Sequence, residues 1–213
     1  FRILCMIRVF IIISFLFLNG KCRSCRKKIS PQYLIVELIT IIYFLGIYYL
    51  FGISLTTLFF LILGLSLIII FFIDLKHYII PNVLTFTLMI IGFIKSFDPN
   101  LNPIFPNFIN SLIGGIFGYF VIWSIIYFYK QVRKKEGMGL GDAKLLSAIG
   151  FWFGWISIPF VIFLSSIIAL LSVIPSLLKN SKSMSSQIPF GPYIIIGTLV
   201  YLFFENSFKS LLF

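Results

Sequence analysis

Residues 55–82 read LTTLFFLILGLSLIIIFFIDLKHYIIPN, and the first part of this run, residues 55–73, contains no charged side chain. A helix needs roughly 20 predominantly apolar residues to cross a hydrocarbon core of about 30 Å. The run is long enough to do so, and it ends at Asp74. It therefore predicts a transmembrane helix with an acid at its end, followed by a short turn before Pro81 and Asn82.

Similar apolar runs fill most of the chain. Of its 213 residues, 60% are hydrophobic and 11% are charged, which leaves too few polar side chains to cover a soluble globule of this size. Short polar or Gly/Pro-marked breaks separate seven candidate spans: 33–51, 55–73, 82–97, 108–129, 143–157, 159–178 and 191–208. We predict an all-α, polytopic membrane helix bundle with about seven transmembrane helices, formed by residues 31–213 as one domain.

Basic residues outnumber acidic ones by 17 to 6, which gives a formal net charge of +11. In a membrane protein this excess reflects the enrichment of Lys and Arg in cytoplasmic loops, and we expect no nucleic-acid partner. The basic residues alternate from loop to loop, and only Lys95 and Lys209 depart from the alternation. We therefore expect Asp74 and Asp142 at the cytoplasmic edge of the membrane and the 98–107 loop on the opposite face.

Both acids lie at the ends of predicted helices. Such an acid is costly to desolvate and is a functional candidate, although many helix-end acids are merely hydrated. We expect Asp74 to be held in a tight loop, with Pro81 in the first turn of the next helix, where its missing N–H costs nothing. Asp142 follows Gly139 and Gly141, which permit close backbone approach. A phosphate-binding loop is not favoured, because the preceding strand and the Gly-Lys-Ser/Thr ending are absent.

Two carboxylates at close range share one proton, because both cannot ionise together. The proton-bearing group then acts as an acid, and the ionised group acts as a base that activates water. This is the chemistry of an aspartic peptidase, and it needs no metal, nucleotide or covalent nucleophile. Because Asp74 ends a helix and Asp142 opens one, the helix dipoles predict that Asp142 is the ionised base and Asp74 the acid.

Three motifs resemble those of the prepilin peptidases of type IV pilus and type II secretion systems, a family of Gly-x-Gly-Asp aspartic membrane peptidases. The first is Asp74 with Pro81-Asn82 seven residues later. The other two are Gly139-Leu140-Gly141-Asp142-Ala143-Lys144-Leu145 and Ile188-Pro189-Phe190-Gly191-Pro192-Tyr193. In this order, the three together are far more specific than any one of them.

This resemblance implies an endopeptidase of the bacterial inner membrane that cleaves the short basic leader from prepilins or pseudopilins after a glycine, at the cytoplasmic face. It makes Asp74 and Asp142 the catalytic aspartates. Residues implied to support the catalytic loops are Gly139, Gly141, Lys144 and Pro81. The implied partners are the prepilin substrate and the lipid membrane, and the peptidase reaction requires no cofactor.

A cysteine-bearing segment, residues 1–30, precedes the predicted membrane domain, and we expect it to be cytoplasmic. Family members with a zinc module there carry two C-x-x-C pairs; here Cys22 and Cys25 form one, whereas the other reads Cys5-Met6-Ile7-Arg8. Structural zinc takes four ligands, so Cys5, Cys22 and Cys25 form an incomplete zinc set. Methylation of the new N-terminus with S-adenosylmethionine is linked to this region in the family and stays open here. Because the chain begins with Phe, we expect an upstream piece to be missing.

Two other functions fit part of the pattern. A small transporter or channel also combines several apolar spans with buried acids, but carriers place such acids near mid-membrane, whereas Asp74 and Asp142 lie at helix ends. A presenilin-like intramembrane peptidase shares the Gly-x-Gly-Asp element. That family's Pro-Ala-Leu-Pro motif is absent, and Ile-Pro-Phe-Gly-Pro stands in the late helix instead.

Overall fold

A computed structural model describes residues 30–98, 101, 105–134, 139–178 and 189–212. The cysteine-bearing segment with Cys5, Cys22 and Cys25 lies outside these residues, as does Ile188 of the third motif. All regular structure in the described part of the chain is helical, and this confirms the all-α prediction. Seven helices are described: α1 Pro31–Phe51, α2 Leu55–His77, α3 Asn82–Lys95, α4 Phe108–Arg133, α5 Leu140–Phe153, α6 Ser157–Leu178 and α7 Gly191–Leu212.

Four of these helices, α1, α2, α4 and α6, are long and apolar enough to cross a membrane, as expected of a multi-pass membrane protein. The helices α3 and α5 have 14 residues each, which is about 21 Å at the usual rise of 1.5 Å per residue. That length falls short of a hydrocarbon core of about 30 Å. The number of complete crossings therefore stays a prediction, whereas the positions of all seven predicted runs are confirmed as helices.

Two predicted boundaries differ from the structure in a way that affects the two acids. The second run continues past residue 73 to His77, and the fifth begins at Leu140 and not at 143. Both helices therefore extend over the polar residues at their ends. As a result, Asp74 and Asp142 lie within helices.

The described residues fall into two compact units, divided between Ile68 and Ile69, and the boundary runs through α2. In the first unit, the hydroxyl of Tyr43 donates a hydrogen bond of 2.6 Å to the backbone carbonyl of Phe60. The Tyr43 ring packs directly against Gly64, where any side chain would overlap it. This contact joins α1 to the first half of α2 without leaving the buried phenol unpaired.

In the second unit, α4 and α5 approach each other at backbone distance. A side chain at Gly114 would overlap the backbone of Gly150, and a side chain at Gly150 would overlap the backbone of Gly114. Ser147 on α5 donates a hydrogen bond of 2.8 Å to the carbonyl of Gly115. Small residues allow such close packing of apolar helices, in which dispersion contacts and polar links replace the hydrophobic effect. The result is that α5 is buried along nearly its whole length.

The helix α3 is bonded to α5 through the buried side chains of Trp152 and Lys95. The indole N–H of Trp152 donates to the carbonyl of Leu88 at 2.8 Å, and Nζ of Lys95 donates to the carbonyl of Trp152 at 3.0 Å. Nζ of Lys95 also lies 3.7 Å from the centre of the Phe105 ring. A cation at the C-terminal end of a helix is favourable. This role explains why Lys95 departs from the alternation of the basic loops.

The Gly114–Gly150 contact can be tested by Gly114→Ala, with Ile116→Ala as the control on the same helix. Alanine favours helix over glycine by about 1 kcal/mol, but here its methyl group would enter the backbone of Gly150, and overpacking costs about 1–3 kcal/mol. Ile116 is 49% exposed. We expect Gly114→Ala to lower the thermal midpoint of the purified protein in detergent by several degrees and Ile116→Ala to leave it nearly unchanged. Equal midpoints would contradict the packing.

Candidate active site

Asp74 lies in the last turn of α2, one turn before the helix ends at His77. The prediction that a loop holds it was wrong, because the helix continues for four residues beyond the apolar run. Its side chain is only 4% exposed. Tyr78 ends the helix in the left-handed conformation, with φ of 57°, and its N–H donates to the carbonyl of Asp74 at 2.9 Å. A left-handed tyrosine is uncommon and costs of order 1 kcal/mol, which the surrounding contacts must offset.

The turn after Tyr78 runs through Ile79 and Ile80 to Pro81. Pro81 is the N-cap of α3, with φ of −65°, so it stands immediately before the helix and not in its first turn as predicted. Its carbonyl accepts a hydrogen bond from the N–H of Thr85 at 3.2 Å. Because proline fixes φ, one of the backbone angles that set how the chain passes from Ile80 into α3 is fixed.

Asp142 is the third residue of α5 and is 7% exposed. Gly139 is the N-cap, and its φ of −82° is one that any residue adopts. A side chain at Gly139 would meet nothing closer than the backbone nitrogen of Gly141, at 3.8 Å. The first carbon of a side chain at Gly141, in contrast, would lie 3.1 Å from Cβ of Ile80. The close approach predicted for the glycine pair therefore occurs at Gly141 and not at Gly139.

Gly191, the first residue of α7, connects the third motif to the other two. A side chain there would place its first carbon 2.5 Å from Oδ2 of Asp74 and 3.1 Å from Cδ1 of Ile80. Ile80 therefore touches Gly191 beside Asp74 and Gly141 beside Asp142. The three motifs, far apart in sequence, meet around this one isoleucine.

Gly191 and Ile80 were not among the residues predicted to form the site. Gly191 was part of a quoted motif, but nothing in the sequence indicated that it lies against the carboxyl group of Asp74. Ile80 is one isoleucine among many, and only its position next to Pro81 could have drawn attention to it.

The two carboxyl groups influence each other electrostatically. The pKa of Asp142 is raised to about 7, mainly by burial of its side chain and also by the negative charge of Asp74, while a hydrogen bond from the backbone N–H of Gly139 acts to lower it. Because the two groups are coupled, the loss of their protons belongs to the pair and not to either residue.

A raised pKa at Asp142 favours the opposite assignment of roles to the one expected from the helix dipoles. The sequence argument placed the negative charge on Asp142, because that residue opens a helix. Burial is the largest cause of the raised pKa of Asp142, although the residue lies in the first turn of α5. The carboxyl group of Asp74 ends α2 but also lies against the first residue of α7. The argument from the sequence considered only the dipole of each residue's own helix.

Oδ2 of Asp74 is buried and has no hydrogen-bond partner within the described residues. A buried acceptor without a partner is unusual in folded proteins, where the great majority of such atoms are paired. An oxygen in this state, next to a second carboxyl group, is suited to accept a proton or a hydrogen bond from a reactant.

Lys144, one of the predicted support residues, reaches across to the start of α3. Its Nζ donates a hydrogen bond of 2.8 Å to Oδ1 of Asn82 and lies 5.4 Å from the centre of the Phe86 ring. This contact joins the Asp142 motif directly to the Pro81-Asn82 motif. Lys144 is therefore bonded to the first residue of α3, and its role in supporting the catalytic loops stays a prediction.

Among the described residues, no group of three or more His, Cys, Asp or Glu side chains is placed to hold a metal ion. The predicted zinc ligands Cys5, Cys22 and Cys25 lie outside these residues, so the incomplete zinc set stays a prediction. The same holds for S-adenosylmethionine, whose binding was linked to the same segment.

Comparison with known proteins gives a consistent result. The family model of the type IV leader peptidase family matches residues 61–174, and that of the bacterial peptidase A24 N-terminal domain matches residues 3–51. No solved structure matches the chain.

Three curated relatives illustrate the similarity, and each is named prepilin leader peptidase/N-methyltransferase. The relative from Pseudomonas aeruginosa is 38% identical over 92% of this chain, and the one from Aeromonas hydrophila is 36% identical over 92%. The relative from Dichelobacter nodosus is 35% identical over 90%. The match spans 66%, 66% and 65% of these three proteins, respectively. With a family model covering more than half of its residues, this chain belongs to the type IV leader peptidase family.

Proposed function

We propose that this chain is a membrane aspartic endopeptidase that removes the basic leader peptide from type IV prepilins or pseudopilins. The observation that carries the proposal is the buried pair of Asp74 and Asp142, in which burial and the charge of Asp74 raise the pKa of Asp142 to about 7. The names of the relatives support the choice of substrate. The N-methyltransferase activity in those names is a second candidate function, and it rests on the names alone.

The charge state of the pair assigns a role to each carboxyl group. Asp74, in its ionised form, takes a proton from a water molecule as that water attacks the carbonyl carbon of the scissile peptide bond. Asp142 gives its proton to the carbonyl oxygen, so that a neutral gem-diol forms. Asp74 then passes its proton to the departing amine, Asp142 recovers a proton from the gem-diol, and the peptide bond breaks. Atoms and charges balance over the cycle, and the pair returns to its starting state.

The location of the site supports cleavage at the membrane surface. Asp74 lies at the end of the long apolar helix α2, and Asp142 lies at the start of α5. We infer from the distribution of the basic loops that these ends lie at the cytoplasmic face of the bacterial inner membrane. A substrate with a basic leader and an apolar segment would then present the junction between the two at this level. A carrier would need its acids near mid-membrane, so this placement does not favour a transporter.

The catalytic roles predict that Asp74→Asn and Asp142→Asn each abolish cleavage. Replacing either carboxyl group with an amide removes the shared proton or the group that accepts it. We expect the rate of cleavage to fall by at least about 10³-fold. Asp98→Asn, beyond the opposite end of α3, is the matched control and should cleave at the normal rate. The measurement is cleavage of a prepilin in membranes containing equal amounts of each protein. Substantial cleavage by either of the first two variants would exclude the mechanism.

The pKa of Asp142 predicts the dependence of cleavage on pH. A carboxyl group with a pKa of about 7 holds its proton below that pH and loses it above. Because the proposed acid must be protonated, kcat/KM for prepilin cleavage should fall as the pH rises through about 7. The measurement is the rate in detergent at a series of pH values at which the protein stays folded. A kcat/KM that keeps rising to pH 9 would show that Asp142 does not supply the proton.

The proposed topology predicts which side of the membrane each loop occupies. In a protein whose three native cysteines are replaced by serine, we expect Lys134→Cys to be protected from an impermeant maleimide in intact cells and Asp98→Cys to be labelled. Both should react in inverted membrane vesicles or after permeabilisation, which controls for burial. Labelling at position 134 in intact cells would place this end of α4 outside and would remove the argument for a cytoplasmic site.

A further inference from the structure

Each aspartate of the pair is followed two residues later by a lysine. The sequence reads Asp74-Leu75-Lys76 at the end of α2 and Asp142-Ala143-Lys144 at the start of α5. The two lysines differ in their surroundings. Lys76 is exposed and makes no hydrogen bond or ion pair with the described residues, whereas Lys144 is half-buried and bonded to Asn82. The two lysines therefore have the same spacing from an aspartate but different contacts in the structure.

The Lys144 contact is made to one turn of α3 by two kinds of interaction. Nζ donates to Oδ1 of Asn82 at 2.8 Å and lies over the Phe86 ring at 5.4 Å. Asn82 and Phe86 are four residues apart and therefore neighbours on the surface of a helix. Together they hold the ammonium group from two directions, so the first turn of α3 is fixed relative to the first turns of α5.

The segment held in this way is the one that touches both aspartates. Asn82 directly follows Pro81 and Ile80, and Ile80 packs against Gly141 on one side and Gly191 on the other. Asn82 is joined to Ile80 through Pro81 alone, and proline fixes one of the backbone angles between them. A shift of Asn82 therefore acts on Ile80 through a short, partly restrained segment. Moving Ile80 would change the support of Gly141, next to Asp142, and of Gly191, next to Asp74.

The far end of the same helix pair is fixed independently. Trp152 bonds to the carbonyl of Leu88, and Lys95 bonds to the carbonyl of Trp152. Loss of the Lys144 contact would therefore loosen only the ends of α3 and α5 that carry the site. The rest of the interface would keep the two helices together, and the variant can be expected to fold.

We propose that Lys144 is a positioning residue, whose bond to Asn82 sets the separation at which the carboxyl groups of Asp74 and Asp142 share a proton. This inference rests on the proposed peptidase function. A positioning residue acts on the chemical step and not on substrate binding. Small misplacements of catalytic groups can cost up to about 100-fold in rate.

A double-mutant cycle tests this role with the full-length chain in detergent and a purified prepilin. Lys144→Met keeps an apolar side chain near Phe86 and removes the ammonium group, and Asn82→Ala removes its acceptor. We expect each to lower kcat by about 10- to 100-fold and to change KM less than about twofold. The double variant should be no worse than the poorer single variant, because both changes break one contact. Lys144→Arg, which can still donate to Asn82, should recover part of kcat.

Lys76→Met is the matched control, because it also removes a positive charge two residues after an aspartate. It should leave kcat and KM close to those of the unaltered chain. An equal loss in Lys76→Met would show that the effect is one of charge alone. Multiplicative losses in the double variant, or a raised KM at unchanged kcat, would each overturn the positioning role.

A second measurement separates this inference from the function on which it rests. If the unaltered chain does not cleave prepilin, the proposed function fails, and thermal unfolding of the same four proteins still tests the Lys144–Asn82 contact. We expect the shifts of the unfolding midpoint to be non-additive in the same way. Additive shifts would mean that the two side chains are not coupled.

Discussion

The structure depends on the burial of two carboxyl groups next to each other. Asp74 and Asp142 are 4% and 7% exposed, and burial of two charges at close range is so costly that one group keeps its proton. With one carboxyl group protonated and the other ionised, the same site can both protonate a carbonyl oxygen and activate a water molecule. The cost of holding the pair together must be offset by contacts elsewhere in the second unit.

Close backbone packing supplies those contacts. Gly114 and Gly150 bring the backbones of α4 and α5 into contact, α5 is buried along nearly its whole length, and burial is the largest cause of the raised pKa of Asp142. At the other aspartate, Gly191 leaves room for the carboxyl group, where any side chain would meet Oδ2. In the described part of the chain, glycines therefore act mainly by allowing close approach and less by permitting unusual backbone angles. Gly139, with an ordinary φ, shows the difference.

The sequence predicted the elements of the site better than their contacts. The seven apolar runs, both aspartates and Lys144 were visible in it, because each is a local pattern of hydrophobicity, charge or spacing. The contacts of Ile80 with Gly141 and Gly191 join segments more than 50 residues apart, and no local pattern encodes them. The assignment of acid and base could not be read from the sequence for the same reason. Helix dipoles can be read from helix ends, whereas the burial of Asp142 depends on how α4 and α3 pack around it.

The central claim is that the two carboxyl groups form one proton-sharing pair, and infrared spectroscopy of the carboxylic-acid C=O band tests it without any substrate. The purified protein should show a protonated carboxyl group that titrates near pH 7 and is absent in Asp142→Asn. Because the charge of Asp74 contributes to the raised pKa of Asp142, Asp74→Asn should shift this titration to lower pH. No carboxyl group titrating near neutral pH, or a midpoint that Asp74→Asn leaves in place, would contradict the account.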